Sequence, residues 1–240
     1  MKLKGTRVVL TGVSGGLGLA LLRLLVANGS FVVGCARHKG DLDDTDIKSF
    51  HFYQLDVSKN KQASYLINSA AKLLGAIDVL INNAGVTHSL KNTEEITPKE
   101  VLYCFRNNVF STFNTLRYTL PIMKAQNNGL VINMSSRCGR RAVPMLAAYC
   151  STKFSIRGIT ETVAKEVAGT GVKSISISPA GISTKMRSDL FGKEESKKQQ
   201  SPERVAEVLY GIINGDIQVP NGADVLLLKD KEPIVKVPET

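Results

Sequence analysis

Short apolar runs alternate along the chain with longer stretches whose apolar positions recur every three to four residues. Arg7 to Thr11 has the pattern of a strand buried on both faces. Leu17 to Asn28 follows with Leu17, Ala20, Leu21, Leu24 and Leu25 on one helical face, and Gly29 supplies the stop. Phe31 to Ala36 and Ser49 to Gln54 predict a second and a third strand. Lys61 to Leu74 predicts a helix, and Ile77 to Asn82 a fourth strand. Thr97-Pro98-Lys99-Glu100 combines a capping box with proline at the first helical position, and opens a long helix toward Met123. Leu130 to Met134 predicts a strand, Ala147 to Ala168 a helix, and Val172 to Ser178 a strand. Ser201-Pro202 opens another helix, and Ala223 to Leu228 is the last strand expected. From Lys229 the chain is charged and holds two prolines, so an irregular tail is expected.

Strand, helix, strand, repeated throughout, implies a parallel sheet with helices on both faces. Right-handed crossovers turn that into a Rossmann-type, doubly wound α/β fold of about seven strands. The pattern shows neither internal repeat nor linker, and 240 residues fit a single domain over 1–240.

Composition narrows the class. With 43% hydrophobic and 22% charged residues the chain can bury a core without disulfides or structural metals. The formal net charge of +10 raises nucleic acid as a partner. Yet the densest basic cluster is only Arg137, Arg140 and Arg141, with Lys193, Lys197 and Lys198 behind it, and no nucleic-acid motif accompanies either. The charge reads as a solvated surface. Arg23 interrupts the longest apolar stretch, Leu17 to Ala27, so no membrane span is expected. A strand starting at Arg7 leaves no space for a signal peptide. Cys35, Cys104, Cys138 and Cys150 are scattered, without ligand spacing, which predicts no metal and a reducing, cytoplasmic setting.

The first strand runs into Thr11-Gly12-Val13-Ser14-Gly15-Gly16-Leu17-Gly18, and a helix follows directly. Glycines there let the backbone approach a pyrophosphate, and the helix start offers it unpaired N–H groups and a positive dipole end. The second strand ends in Cys35-Ala36-Arg37-His38-Lys39. A carboxylate at that point would bind a ribose 2′-hydroxyl; its absence, with Arg37 able to clamp a phosphate, predicts NADP(H) rather than NAD.

Tyr149 and Lys153 lie four residues apart in an expected helix and share a face. A tyrosine titrating near 10 exchanges protons poorly at neutral pH, and a nearby ammonium lowers that value. Thirteen residues before Tyr149, Ser136 ends a strand, at the sheet edge where such folds bind ligands.

Taken together these motifs resemble the short-chain dehydrogenase/reductase family from Arg7 to about Leu228. The family's T-G-x-x-x-G-x-G stands as Thr11, Gly12, Gly16 and Gly18, its N-N-A-G as Asn82-Asn83-Ala84-Gly85, and its Y-x-x-x-K as Tyr149 and Lys153. The resemblance implies that Tyr149 is the general acid in carbonyl reduction and the base in alcohol oxidation. It implies that Lys153 holds the nicotinamide ribose, and that Ser136, rather than the adjacent Ser135, orients the carbonyl oxygen. Asn108 matches the asparagine whose helix kink holds a relay water, with Asn107 the alternative. Cofactor contacts are implied for Gly12, Ser14, Gly16, Leu17 and Gly18 in the turn, and for Arg37 and His38 beside the adenosine. Asp56 and Val57 match the adenine pair. Asn83, Ala84 and Gly85, then Pro179, Ile182 and Thr184, join Tyr149 and Lys153 around the nicotinamide.

Three departures from the family pattern stand out. Pro179-Ala180-Gly181 replaces the usual Pro-Gly, Asn221-Gly222-Ala223-Asp224 replaces Asp-Gly-Gly, and Gly15 stands where some NADP-preferring members carry a basic residue. The resemblance implies hydride transfer to a small carbonyl substrate, reduction as the working direction, and a homodimer or homotetramer built on the helices near 98–123 and 147–168. Substrate-facing candidates are Val86, Thr87, His88, Arg137, Cys138, Val143, Met145, Met186 and Leu190. Among them His88 reads as a solvated loop histidine, and Lys185 to Gln200 as the lid. Two other readings stay open: a non-catalytic NADP sensor, and a ketoacyl reductase acting on a carrier-bound substrate.

Overall fold

A computed structural model describes residues 4–42 and 49–238. One sheet carries all the strands, in the order β3-β2-β1-β4-β5-β6-β7-β8. The strands are β1 (Arg7–Thr11), β2 (Phe31–Ala36), β3 (Phe50–Gln54), β4 (Val79–Asn82), β5 (Gly129–Met134), β6 (Val172–Pro179), β7 (Asp224–Leu227) and β8 (Ile234–Lys236). The first seven run parallel, and β8 turns back antiparallel on β7, pairing Val225 with Val235. The doubly wound expectation holds, with two corrections. The described residues form eight strands where about seven were expected, and the tail from Lys229 supplies the eighth. Its three residues gain most of their strand character from the edge of β7 they cover, a tertiary pairing that no local pattern encodes.

Helices α1 (Gly16–Ala27) and α8 (Pro202–Asn214) cover one face of the sheet. Helices α2 (Asn60–Leu74), α4 (Ser111–Gln126) and α5 (Ala147–Glu166) cover the other. Each face has its own core. Leu21, Leu22 and Leu25 of α1 are fully buried against β1, β2 and α8, and each leucine contributes about 2 kcal/mol of burial. Leu66, Ile67, Met123 and Ile156 do the same work on the opposite face.

The expected capping box opens α3 (Pro98–Phe105): Glu100 N–H donates to Thr97 Oγ1 at 3.3 Å, and Thr97 N–H donates to Glu100 Oε2 at 2.9 Å. The long helix expected to run on to Met123 is instead broken by a π-helical turn, Arg106–Phe110, before α4 begins. Among the described residues no helix is long and apolar enough to cross a membrane.

The chain leaves β1 outward to β2 and β3, then returns across the sheet to β4. The switch point therefore lies between β1 and β4, and the crevice above their carboxyl ends is where such sheets bind ligands.

Candidate active site

A cleft of about 1250 Å³ opens along these strand ends. It runs from Arg37, His38 and Asp56 at one end, over the glycine turn, to Ser136, Tyr149 and Lys153 at the other. The implied contacts Gly12, Ser14, Gly16, Leu17, Gly18, Val57, Asn83, Ala84, Gly85, Pro179, Ile182 and Thr184 all line it.

The glycine turn is braced from the next strand. Asn83 Nδ2 donates to the carbonyls of Thr11 and Gly12, both at 3.0 Å, and Thr11 Oγ1 accepts from the N–H groups of Asn83 and Ala84, also at 3.0 Å. The Asn83 side chain thus holds the turn. The turn itself tolerates no side chain: a Cβ on Gly18 would lie 1.9 Å from the Gly12 carbonyl oxygen, and Gly12 has φ +76° with Ala84 Cα 2.9 Å from its Cβ position. Helix α1 starts with no side-chain cap and no acid in its first turn, so its leading N–H groups face the cleft uncompensated.

At the adenosine end Arg37 and His38 are exposed, and Arg37 Nη1 donates to Asn107 Oδ1 at 3.4 Å. Asp56 Oδ1 accepts from Ser58 N–H at 3.0 Å. Two supports of this loop carried no sequence signal. Asn114 Nδ2 donates to the Val57 and Ser58 carbonyls at 3.0 and 3.1 Å, and Gln62 Oε1 accepts from Asp56 N–H at 2.6 Å. An acid does approach the turn after all: Asp41 Oδ2 lies 3.3 Å from where a Gly15 Cβ would stand.

At the other end, Tyr149, Lys153 and Ser136 converge from two elements. Tyr149 and Lys153 sit one helical turn apart on α5, and Ser136 leads the 3-10 turn Arg137–Gly139 that follows β5. Ser136 Oγ accepts from Cys138 N–H at 3.1 Å, and its hydroxyl stands near enough to the Tyr149 phenol to influence its titration. Desolvation pushes the Tyr149 phenol above its ordinary range, Cys138 adds to the rise, and the neighbouring Ser136 hydroxyl pulls part of it back. The spacing predicted that Lys153 would draw the phenol down, but in the protein alone burial outweighs the ammonium 5.7 Å from the ring centroid. Tyr149 is therefore held protonated.

Lys153 is itself buried, and desolvation brings its ammonium down to about 8. Its Nζ donates to the Met134 carbonyl at 2.7 Å. The penalty for burying this charge is full below pH 8 and is relieved between that value and the ordinary 10.5, where the unfolded chain still holds the proton. Lys153→Met is accordingly expected to raise stability by on the order of 2 kcal/mol at pH 7, with a smaller gain at pH 10. Urea titrations at the two pH values would check it; an equal gain at both would show that the ammonium is not the cause.

Asn108 stands behind the cleft wall, 1% exposed. Its Oδ1 accepts from Val86 N–H at 2.7 Å, and its Nδ2 donates to the Val86 carbonyl at 3.0 Å and to Thr152 Oγ1 at 2.9 Å. It ties the loop after β4 to the helix that carries Tyr149 and Lys153, from within the π turn. Asn107, the alternative, lines the cleft near Arg37.

Val86, Thr87, His88, Arg137, Cys138, Val143, Met186 and Leu190 also line this cleft. Met145 does not: it lines a separate hollow with Pro144 and Phe154. His88 is also corrected. It is 5% exposed, and its Nδ1 donates to the Ser89 carbonyl at 2.6 Å. The lid is helical, α6 (Lys185–Phe191) and α7 (Lys193–Lys197), and is stapled by Arg187, which pairs with Glu195 and lies 4.0 Å above the Phe191 ring. Among the described residues no group of His, Cys, Asp and Glu is arranged to hold a metal ion.

The pattern described as short chain dehydrogenase matches residues 6–195. The chain belongs to the short-chain dehydrogenase family. A family member from Arabidopsis thaliana, an NADPH-dependent pterin aldehyde reductase, is 31% identical over 87% of this chain and 89% of its own. An uncharacterised oxidoreductase of Staphylococcus saprophyticus is 30% identical over 86% of this chain and 89% of its own. Among solved structures, the NADP-bound form of ElxO superimposes with TM-score 0.83 at 26% identity, covering 95% of this chain and 96% of that one. Levodione reductase, at 24% identity and TM-score 0.87, shares the fold over 94% of this chain and 96% of its own. As a short-chain dehydrogenase, this protein is an oxidoreductase.

Proposed function

We propose that this oxidoreductase uses NADP(H) and reduces a small aldehyde or ketone, with Tyr149 as general acid. One observation carries the reading: a single cleft joins the uncapped start of α1 and its glycine cradle to Ser136, Tyr149 and Lys153. The residues fit a dinucleotide. The crowded turn leaves backbone N–H groups bare for a pyrophosphate, and Arg37 and His38 stand where a 2′-phosphate would be met. When bound, the nicotinamide supplies the hydride. Ser136 donates to the substrate oxygen and fixes the carbonyl. Tyr149, kept protonated by burial, gives its proton to that oxygen as negative charge develops there. Lys153 holds the ribose hydroxyls and returns positive charge to the phenol once the cleft is filled. Asn108 acts by holding the π turn and the loop after β4 in place.

The pterin aldehyde reductase and the NADP-bound ElxO support the choice of cofactor, and the former supports an aldehyde substrate. The four unpaired thiols suit the cytoplasm. Exposed Leu102, Tyr103, Phe110, Phe113 and Phe154 on α3, the π turn, α4 and α5 support a homodimer through those helices.

The test is NADPH absorbance over time with a panel of aromatic aldehydes, aliphatic aldehydes, ketones and diketones. Turnover with a free carbonyl, and none with NADH at equal concentration, is expected. Turnover only with carrier-linked ketoacyl substrates would transfer the assignment to that chemistry. Arg37→Ala is expected to weaken NADPH binding about tenfold or more while leaving NADH binding within about twofold, because a guanidinium–phosphate contact is charge-assisted. Equal loss for both nucleotides in a fluorescence titration would show that Arg37 does not read the phosphate.

A further inference from the structure

The stripe that carries Tyr149 and Lys153 continues for another turn of α5, to Arg157. Each of the three residues meets a different level of the segment that delivers Ser136. Tyr149 stands beside Ser136 in the cleft wall. Lys153 Nζ meets the Met134 carbonyl, and its own carbonyl accepts from Ser135 Oγ at 2.9 Å. Arg157 Nη1 donates to the Gly139 carbonyl at 3.2 Å. At Gly139 the fit is close: a Cβ there would lie 2.5 Å from the Lys153 carbonyl oxygen.

Below this level lies Asp224 on β7, 2% exposed. Its Oδ1 accepts from Ser176 Oγ at 2.5 Å and from Ser178 Oγ at 2.7 Å, both on neighbouring β6. Its Oδ2 faces two guanidiniums: Arg140 Nε at 2.6 Å, and Arg157 Nε at 3.5 Å. Arg140 is the residue just past the turn that Ser136 opens. One buried carboxylate thus fastens the end of the Ser136 turn and the Tyr149 helix to the same point of the sheet. A buried charge cluster is a poor way to gain stability, since apolar packing of the same volume does as well, but it fixes geometry closely. Asp224 also stands in the segment where the sequence leaves the family's Asp-Gly-Gly.

We infer that Asp224, with Arg140 and Arg157, is a positioning device for the reaction: it sets where Ser136 stands relative to Tyr149. The inference rests on the roles proposed above for those two residues. A turn of four residues anchored at both ends leaves the Ser136 hydroxyl little freedom, and misplacing a substrate-orienting group by an ångström is expensive in rate.

Asp224→Asn takes the counter-charge from Arg140 and leaves Arg157 only Glu161, at 3.6 Å, which risks the fold, so Arg140→Met is the primary test. It keeps Asp224 hydrogen-bonded to Ser176 and Ser178 and ion-paired with Arg157. Per folded enzyme, kcat is expected to fall about tenfold while KM for the carbonyl changes less than about threefold, with a larger isotope effect from deuterated NADPH. A second readout needs no turnover. Cys138 lies within the turn and is partly exposed, whereas Cys35, Cys104 and Cys150 are buried. Its labelling by iodoacetamide in the cofactor-free protein, followed by mass spectrometry, is expected to quicken about threefold or more as the turn loosens. A kcat within about twofold of the parent, or an unchanged labelling rate, overturns the inference. Because labelling does not depend on catalysis, a parent enzyme inactive on every carbonyl would overturn the proposed reaction and leave the clamp to stand or fall on its own.

Discussion

Tyr149→Phe is expected to lower kcat by about two to three orders of magnitude and to leave the NADPH dissociation constant within about twofold. The variant keeps the ring that packs at the cleft wall and removes only the hydroxyl that meets Ser136. Loss of the proton donor leaves developing charge on the substrate oxygen to Ser136 alone, and a hundredfold loss corresponds to about 2.7 kcal/mol of transition-state stabilisation. Desolvation holds the half-buried phenol above its ordinary titration range, so near neutral pH it stands as a proton donor rather than a phenolate. Single-turnover measurement of NADPH oxidation beside a fluorescence titration separates the two quantities. Turnover within a factor of a few of the parent would remove Tyr149 from the reaction; a collapse of NADPH affinity would make it a binding residue.

Gly18→Ala is expected to raise the NADPH dissociation constant by about a hundredfold while the chain stays folded. The added methyl would stand 1.9 Å from the Gly12 carbonyl oxygen and 2.7 Å from Asn83 Nδ2. One is a main-chain atom and the other the amide that braces the turn through the Thr11 and Gly12 carbonyls, so no rotamer change relieves the clash without undoing that brace. Either α1 tilts or the turn opens, and both move the N–H groups that await the pyrophosphate. The apolar packing of α1 against α8 and the sheet keeps the helix attached, so the loss should fall on binding before it falls on folding. Isothermal titration with NADPH and a thermal melt of the same sample check this. Unchanged affinity would mean that the turn does not hold the nucleotide.

Much of this architecture is legible in the chain because its strands are short apolar runs and its helices carry one apolar face. The glycine turn could be placed because glycine, a strand before it and a helix after it coincide. The failures have physical reasons. The π turn at Arg106–Phe110 contains no proline or glycine, and what fixes it is Asn108 reaching to Val86 and Thr152, contacts distant in sequence. His88 was read from its loop position, while its burial depends on what closes over the loop. Asp224 looked like a departure from a family motif, and only the neighbouring strand and two arginines from elsewhere give it work. The titration of Tyr149 went the other way because a pair of residues at helical spacing says nothing about how deeply the pair is buried.

Strand β8 decides how this sheet ends. It lays three residues antiparallel over β7, with Pro233 before it and Pro238 shortly after. Prolines bring no amide hydrogen to offer a neighbour, and Lys236 places a charge on the rim. The hydrogen-bonding capacity that β7 would otherwise present to other molecules is capped from within the same chain. Growth of the sheet from one molecule to the next is thereby disfavoured at this edge, and the row of backbone groups still open to pairing lies at the far side of the sheet, on β3.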